Sequence, residues 1–251
     1  MIVEQLQKSV ETILQPLGFE IHPFKIGWYN DRVQSVFHLP YHEDTVAFCV
    51  LSTPSMFEKA FMPYVGSLTA PTSRDPLDDC VARQYQHLKE SLPEYRIETI
   101  QDYELYPNRR PKILVQTVGH VSGAAFYYQR SNMKRDPWGD KKIFGVSIHP
   151  RYGGWFAFRG ILIFPELRSS STDLVQREPP DVIKTDEALK DLLEKFNEHW
   201  MENTYRDCIE VQERYSPAQV EYFRTPPAER GKLLGLTAGG VMAERTDDRC
   251  H

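Results

Sequence analysis

The 251-residue sequence has few cysteines and no long apolar segment, and both absences exclude kinds of protein. The four cysteines are scattered along the chain: Cys49, Cys80, Cys208 and Cys250. They form no C-x-x-C pair and no zinc-ligand spacing, so neither a disulfide framework nor a structural metal site is predicted. The longest apolar runs, at 46–51 and 160–165, are far shorter than the roughly 20 residues that span a bilayer. We therefore expect a protein of the reducing cytoplasm that does not act in a membrane.

An excess of basic residues is also missing. Thirty lysines and arginines against 35 acidic residues give a formal net charge of −5, which argues against a dominant affinity for nucleic acid or an anionic membrane. The start of the chain, MIVEQLQKSVET, is amphipathic and so does not resemble a signal peptide. With 41% hydrophobic and 12% aromatic residues, the chain is predicted to bury a core without cross-links.

Common catalytic motifs are absent as well. The sequence contains no G-x-S-x-G, Walker A or G-x-G-x-x-G motif, which removes the main sequence support for a serine hydrolase, a P-loop protein or a Rossmann dinucleotide site. His38 and His42 are four residues apart, but Pro40 between them breaks a helix. We predict that these two histidines are unrelated loop residues.

Helix predictions rest on apolar periodicity and on start signals. The spacing of apolar residues over 2–14 predicts a first helix that ends near Gly18. Four later helices are predicted where a capping residue precedes a proline: Thr53-Pro54, Asp75-Pro76, Ser216-Pro217 and Thr225-Pro226. A further helix after Thr185 is predicted to place five apolar residues on one side: Leu189, Leu192, Leu193, Phe196 and Trp200.

Strand predictions lie mostly between residues 19 and 165. Residues 45–52 form the nearly continuous apolar run that is typical of a strand buried on both faces, and residues 96–103 alternate. Residues 144–149 and 155–164 flank a turn-like segment and predict a β-hairpin or two neighbouring strands. Residues 112–130 fit a helix in their first half and a strand or buried helix in their second, with the boundary near Gly123.

These elements together predict an α+β fold. We expect an α+β core over residues 1–165, a connecting loop over 166–185 and a helical C-terminal cap over 186–236. Residues 237–251 contain little apolar sequence and are predicted to form a disordered tail.

Residues 149–160, HPRYGGWFAFRG, carry the clearest indication of ligand binding. A Gly-Gly turn allows close approach of the backbone to a ligand, and the flanking Arg151 and Arg159 can bind a carboxylate or phosphate. Arginines that only face solvent are the alternative. Arg206 and Arg230 are further candidates for the same anion site.

A second candidate region contains His120 and the aromatic residues that follow it. The H-x-x-G at 120–123 is part of the D-x-H-x-x-G signature with which some cobalamin enzymes place histidine below cobalt, but Val118 replaces the acidic residue. That carboxylate would orient the imidazole, so its loss favours a packed core histidine. Tyr127, Tyr128 and Gln129 suit contact with a large amphipathic ligand, and a core strand is the alternative.

Taken in order, segments along nearly the whole chain resemble the CblC-type family of cytosolic vitamin B12 processing proteins, the methylmalonic aciduria and homocystinuria type C family. The matching segments are FHLP (37–40), LSTPSMF (51–57), YPNRRPKIL (106–114), HVSGAAFYYQR (120–130), DPWG (136–139), IHPRYGGWFAFRG (148–160), TYRD (204–207), QERYS (212–216) and YFRTPPAERGKLLGL (222–236). The resemblance implies a fold similar to flavin reductases and nitroreductases, with base-off cobalamin held in a large cavity.

The resemblance also implies an enzyme that removes the upper axial ligand of cobalamin. Cyanide would leave reductively, with electrons from reduced FMN or FAD, and alkyl groups would be transferred to glutathione. The positions that match the family's glutathione-binding arginines are Arg159, Arg206 and Arg230. The predicted cobalamin contacts are Asp102, Ile113, Leu114, Val115, Gln116, His120, Tyr127, Tyr128, Gln129, Ser147 and Phe158. No side chain is predicted to bind the metal, because the corrin holds the cobalt.

Two of these positions depart from vertebrate relatives, which have cysteine in place of Ser147 and isoleucine in place of Phe158. The family further implies, as partners, a CblD-type trafficking protein and downstream vitamin B12 enzymes such as methionine synthase. A monomer or a ligand-dependent homodimer is expected. Two other functions stay open: a carrier that binds cobalamin without reacting, and a flavin-dependent reductase of small molecules.

Overall fold

The structure, a computed structural model, describes residues 2–68, 75–170 and 173–236. It confirms the predicted mixture of helices and strands. Four strands form an antiparallel sheet in the order β1-β2-β6-β3, and β4 pairs with β5 in a separate two-stranded sheet. The strands are β1 (Phe19–Lys25), β2 (Thr45–Ser52), β3 (Glu98–Ile100), β4 (Phe126–Tyr128), β5 (Val146–Ile148) and β6 (Ala157–Arg168).

The helices cover both faces of the larger sheet and form most of the C-terminal part. They are α1 (Ile2–Leu14), α2 (Ile26–Asn30), α3 (Met62–Gly66), α4 (Pro76–Ser91), α5 (Val115–Val121), α6 (Asp186–His199), α7 (Pro217–Arg224) and α8 (Pro227–Leu233). A π-helix at Phe57–Phe61 runs directly into α3. Within the described ranges, no helix is both long and apolar enough to cross a membrane.

Strand β2 is the buried centre of the larger sheet, as its apolar run predicted. All eight of its residues are buried. Because successive side chains of a strand point to opposite faces, Val46, Phe48 and Val50 pack into the core with α1 and α4. Ala47, Cys49 and Leu51 pack on the other face, with α2 and α5. The sheet thus separates two hydrophobic cores.

Most predicted helix starts are confirmed by a capping hydrogen bond. Asp75 accepts from the Leu77 amide, Thr185 from that of Ala188 and Ser216 from that of Gln219. The start predicted at Thr225-Pro226 is wrong by one residue, because Pro226 is the cap residue and α8 begins at Pro227.

Two other helix predictions also need correction. No helix begins at Thr53-Pro54, where a turn precedes the helical segment that starts near Met56. Trp200 is not on the buried side of α6: the helix ends at His199, and the Trp200 ring is 58% exposed in a following 3-10 turn.

The predicted hairpin around residues 150–154 is wrong in its pairing. Strand β5 pairs with β4, whereas β6 pairs with β2 and β3, so the two predicted strands lie in different sheets. Only His149 and Gly153 form an isolated bridge across the turn. The predicted strand at 96–103 shortens to Glu98–Ile100, at the edge of the larger sheet. The boundary near Gly123 is confirmed, because α5 ends at Val121 and β4 begins at Phe126.

The C-terminal helices pack against two different parts of the chain. Helix α6 packs with β4 and β5 in a cluster that includes Leu192, Leu193 and Tyr128. Tyr222 of α7 is fully buried in the core beside α1 and α4. The domain boundaries stay predictions, and β6 continues to Arg168, three residues beyond the predicted end of the core. The predicted tail, 237–251, lies outside the described residues.

Candidate functional site

Arg159 is a buried charge on the central strand β6. The residue is 6% exposed, and its Nε donates to the Ser52 hydroxyl at 2.9 Å. Its carbonyl oxygen accepts from the Tyr85 hydroxyl, also at 2.9 Å. The buried Nη2 has no hydrogen-bond partner among the described residues. An unsatisfied buried guanidinium is costly, so this nitrogen is a candidate for contact with a ligand.

Two acidic side chains complete what we call the arginine pocket, defined by Arg159, Asp78 and Asp102. Burial raises the pKa of both carboxyl groups, that of Asp78 to about 6, while the Arg159 charge acts in the opposite direction. Neither carboxylate accepts a hydrogen bond from another described side chain. The pocket therefore holds charges of both signs that are not joined to one another by an ion pair.

Arg206 is held by a second structure, the glycine turn, which comprises residues 149–154. The Gly154 amide donates to the Arg206 carbonyl at 3.0 Å, and the guanidinium donates back to the Gly154 carbonyl. Gly153 has φ +57°, and a Cβ there would lie 2.2 Å from the Arg206 carbonyl oxygen, so a glycine is required. The guanidinium is also within 5.0–5.4 Å of three aromatic ring centres: those of Trp155, Tyr205 and Tyr215.

Arg230 is paired with an acidic residue. Its Nη1 lies 2.5 Å from Asp75 Oδ2, and its Nε donates to the Thr225 carbonyl at 3.1 Å. The second carboxylate oxygen of Asp75 accepts from the Tyr222 hydroxyl at 2.7 Å. Arg230 is thus fixed to the residue that caps α4.

A series of contacts links Arg206 to Arg230 and to the start of α4, where the charge of the third predicted glutathione-binding arginine, Arg159, also acts. The Arg206 guanidinium lies over the Tyr215 ring, which packs on Phe223 with centres 5.5 Å apart. Phe223 in turn lies under Arg230 at 5.9 Å. From Arg230 the Asp75 ion pair leads to the first turn of α4, where Asp78 is influenced by the Arg159 charge.

The predicted corrin contacts Tyr127 and Ser147 are cross-strand partners in the smaller sheet. They share the face opposite the packed side chains of Tyr128 and Val146. The Ser147 hydroxyl is buried and has no hydrogen-bond partner among the described residues. Tyr127 also lines a cleft of about 660 Å³ together with Gln129. A large ligand on this face would therefore meet an aromatic ring and a free hydroxyl.

Phe158 approaches the backbone of α5. A Cβ at Gly119 would lie 2.3 Å from the end of the Phe158 ring, so the ring occupies the space left by that glycine. Of the neighbouring predicted contacts, Ile113 is buried in the core, and Gln116 is exposed. Leu114 and Val115 are half-buried against the same core.

Tyr128 points away from Tyr127 and is engaged elsewhere. Its hydroxyl donates to Asp181 at 2.6 Å and accepts from the amides of Val182 and Ile183 at 2.7 and 2.9 Å. These bonds tie β4 to the segment before α6. The structure thus places the Tyr128 side chain in a structural role, and any ligand contact there would involve its backbone.

His120 is half-buried and bonded through its Nδ1. That nitrogen accepts from the Tyr127 amide at 3.2 Å, and the ring meets Phe126 edge-on with centres 4.8 Å apart. Burial lowers the pKa of His120, and the charge of Arg32 adds to this effect. The ring is therefore neutral at physiological pH with its proton on Nε2, as expected for a packed histidine.

A polar cluster that the sequence analysis missed anchors the glycine turn. The Glu20 carboxylate lies 3.2 Å from His149 Nε2 and 3.4 Å from His22 Nε2, and it also pairs with Arg151. Two histidines and a carboxylate this close resemble a metal site. However, His149 Nδ1 accepts from the backbone amides of Arg151 and Tyr152 at 3.1 and 3.3 Å, so the proton sits on Nε2. That proton points to Glu20, and the cluster is a hydrogen-bond network.

No local pattern in the sequence identifies this network. Glu20 and His149 are 129 residues apart, and none of the sequence motifs includes Glu20. The histidine falls inside the matched segment 148–160, but its partner is defined only by the fold.

The fold and these contacts define the class of the protein. It is an α+β protein with an apolar face on its smaller sheet and with buried polar atoms that have no partner among the described residues, one of them Nη2 of Arg159 in the arginine pocket. The model of the methylmalonic aciduria and homocystinuria type C family matches residues 18–234. The chain is 55% identical over 234 residues, 93% of its length and 98% of the relative's, to the cyanocobalamin reductase / alkylcobalamin dealkylase of Gallus gallus. It is 51% identical to the Homo sapiens protein of that name, covering 93% of this chain and 82% of the other.

A comparison with solved structures supports the same family. The crystal structure of a C. elegans B12-trafficking protein, CblC, matches with a TM-score of 0.80 and 37% identity, covering 92% of this chain and 95% of the other. The chain therefore belongs to the methylmalonic aciduria and homocystinuria type C family.

Proposed function

We propose that this protein processes cobalamin, as a reductase that removes cyanide from cyanocobalamin and as a dealkylase of alkylcobalamins. The observation that carries the proposal is the identity of 50–55% with curated relatives that bear both activities in their name, over at least 93% of this chain. Cobalamin is the substrate, and its cobalt is held by the corrin.

A buried hydroxyl group without a hydrogen-bond partner among the described residues supports binding of such a substrate. The Ser147 hydroxyl, beside the Tyr127 ring, offers a hydrogen bond on the apolar face of the smaller sheet. The corrin is large and flat with amide side chains, so it suits a surface of aromatic rings and scattered polar groups. The predicted contacts, from Asp102 to Phe158, are part of this proposal, as is binding in the base-off form.

In dealkylation, glutathione is the co-substrate. Its thiolate attacks the methyl carbon of methylcobalamin, the sulfur–carbon bond forms, and the cobalt–carbon electron pair stays on cobalt as cob(I)alamin. Arg159, Arg206 and Arg230 bind the carboxylates of glutathione and hold its sulfur near the reacting carbon. Positioning is the contribution of the protein, and cobalt carries the difficult chemistry.

The thiol and the electrons come from outside the chain. The described cysteines, Cys49, Cys80 and Cys208, are free, and burial raises the pKa of each thiol to about 12. A thiol with such a pKa is almost never a thiolate at neutral pH, and only the thiolate is nucleophilic. For decyanation, reduced FMN or FAD supplies electrons as a co-substrate.

The finer points of fold, location and assembly belong to the same proposal. They are a nitroreductase-like core, a cytoplasmic location that suits the free thiols, and transfer of product to a CblD-type protein and to enzymes such as methionine synthase. The chain acts as a monomer or as a homodimer that forms with ligand.

One spectroscopic experiment tests the function. Methylcobalamin and glutathione are added to purified protein without oxygen, and the visible spectrum is followed for conversion to cob(I)alamin. We expect conversion with the wild type and loss of conversion, with retained cobalamin binding, in Arg159→Ala, Arg206→Ala and Arg230→Ala. Unchanged rates in all three variants would disprove the arginine roles.

The same experiment separates the alternatives. Binding without any spectral conversion, with thiol or with reduced flavin, would identify a carrier. Tight copurification of FMN and oxidation of a nicotinamide without cobalamin would identify a small-molecule reductase.

A further inference from the structure

The charges around the arginine pocket do not match a ligand that carries carboxylates alone. Among the described residues, three carboxyl groups, of Asp75, Asp78 and Asp102, accompany the guanidinium groups of Arg159 and Arg230. Glutathione adds two more carboxylates. Its one positive group, the α-ammonium of the γ-glutamyl residue, needs a carboxylate partner.

Of the carboxylates of Asp75 and Asp78 at the start of α4, only that of Asp78 is free to be this partner. Asp75 accepts from the Leu77 amide at 3.0 Å, the Tyr222 hydroxyl at 2.7 Å and Arg230 at 2.5 Å. Asp78 lies one helical turn further along α4 and accepts no hydrogen bond from another described residue. Asp75 thus fixes the helix start, while Asp78 has free acceptor oxygens.

Arg159 supplies an independent indication that a ligand binds here. This side chain is 6% exposed, its Nη2 lacks a partner, and its charge acts on both Asp78 and Asp102. Helix α4, which carries Asp78, is bonded to Arg159 through the Tyr85 hydroxyl, so a buried guanidinium with one free nitrogen lies within electrostatic range of a carboxylate on that helix. This pairing matches an α-amino acid end, in which carboxylate and ammonium are attached to the same carbon.

The ionisation of Asp78 agrees with such a ligand. Burial raises the pKa of Asp78 to about 6, and the neighbouring charges of Asp75 and Asp102 act in the same direction. An ammonium group beside the carboxylate would stabilise its ionised form at neutral pH. The pocket thus contains an acceptor whose charge is best satisfied by a cation.

We propose that Asp78 binds the α-ammonium group of glutathione while Arg159 binds the carboxylate on the same carbon, so that the enzyme selects thiols with an α-amino acid end. The inference rests on the proposed function. It makes Asp78 a specificity-determining residue.

The test compares glutathione with the analogue in which hydrogen replaces the α-ammonium group. Dealkylation of methylcobalamin is followed by absorbance, and KM for each thiol is measured with wild type, Asp78→Asn and Asp79→Asn. We expect the wild-type KM for the analogue to be about 10- to 100-fold higher than for glutathione, the usual range for a hydrogen bond between charged groups. In Asp78→Asn the two thiols should have similar KM values.

Asp79→Asn is the matched control, because it removes the same charge from the same helical turn. The Asp79 charge acts on Tyr64, whose ring lies under Arg83, and it is the smallest of the influences on Asp78. This variant should keep the wild-type preference for glutathione.

Three results would overturn the inference. The first is an equal KM of the wild type for both thiols, a comparison that needs no variant to fold. The second is a preference for glutathione that survives in Asp78→Asn. The third, no dealkylation by any thiol although cobalamin binds, would overturn the proposed function as well and is therefore distinct from the first two.

Discussion

The glycine turn, with the Glu20 network that anchors it, and the arginine pocket both contain charged residues, yet they differ in how their polar groups are satisfied. In the turn, the Glu20 carboxylate and both nitrogens of His149 have partners. In the pocket, Arg159 Nη2 has no partner among the described residues, and the Asp102 carboxylate is bonded only to its own backbone amide. Since buried polar atoms are rarely left unpaired in folded proteins, we expect the turn to be structural and the pocket to bind a ligand.

The largest effect is expected in Glu20→Gln, which should lose stability if the glycine turn has a structural role. The amide would place a donor where His149, His22 or Arg151 also donates, so we expect the free energy of unfolding to fall by about 2–4 kcal/mol. Urea denaturation measures this loss. Glu213→Gln removes the same charge from an exposed residue of the adjoining cleft and should have little effect.

The free energies of unfolding of wild type and Glu20→Gln should also differ in their pH dependence, which shows in which pH range the Glu20 carboxylate stabilises the fold. Burial alone would raise the pKa of Glu20, but the hydrogen bonds from His149 and His22 and the charge of Arg151 hold it well below its ordinary 4.5. A depressed pKa stabilises the fold above the ordinary value, and this contribution is lost as pH falls below about 4.5. The difference between wild type and Glu20→Gln should shrink in that range, and a difference that grows there would contradict the network.

The opposite pattern is expected for Arg159→Met in the pocket. Methionine removes the cation that acts on Asp78 and Asp102, but both carboxyl groups already have a raised pKa and can take up a proton instead, so we expect the unfolding free energy to fall by no more than about 1 kcal/mol. Glutathione-dependent dealkylation should fall about 30- to 100-fold. Arg168→Met, at the exposed end of the same strand, is the control and should change neither quantity. A stability loss as large as that of Glu20→Gln would mean that Arg159 is structural.

The contrast also explains what could be predicted from the sequence. Local signals were sufficient where neighbours along the chain decide the structure: the apolar run of β2, the proline after Asp75 and the glycine near the end of α1. The hairpin prediction failed because a Gly-Gly turn indicates a reversal of direction without indicating which strand each arm will pair with. The Glu20 network and the bonds of the Tyr128 hydroxyl join residues that only the fold brings together.

For the predicted site residues as well, the sequence indicates the residue types, whereas only the fold shows their partners. Family resemblance identified Arg159, Arg206 and Arg230, but no pattern in the sequence shows that Arg159 is buried with an unpaired nitrogen whereas Arg230 is paired with Asp75. Residue type gives the chemistry that is available. Partners in the fold decide which groups remain free for a ligand.

The smallest expected effect concerns His120. One of its ring nitrogens has a partner, as in the glycine turn, and the other has none among the described residues, as in the arginine pocket. Its Nδ1 is satisfied by the Tyr127 amide, while the structure gives its Nε2 no partner among the described residues. If the histidine only supports the smaller sheet, His120→Ala should weaken cobalamin affinity by about 1 kcal/mol, roughly fivefold, through lost packing on Phe126 and an unsatisfied amide. Titration of cobalamin followed by absorbance measures the affinity. His120→Asn, which can present an oxygen to the Tyr127 amide, should recover part of the loss. Complete loss of binding in both variants would instead assign His120 a direct role at the cobalt.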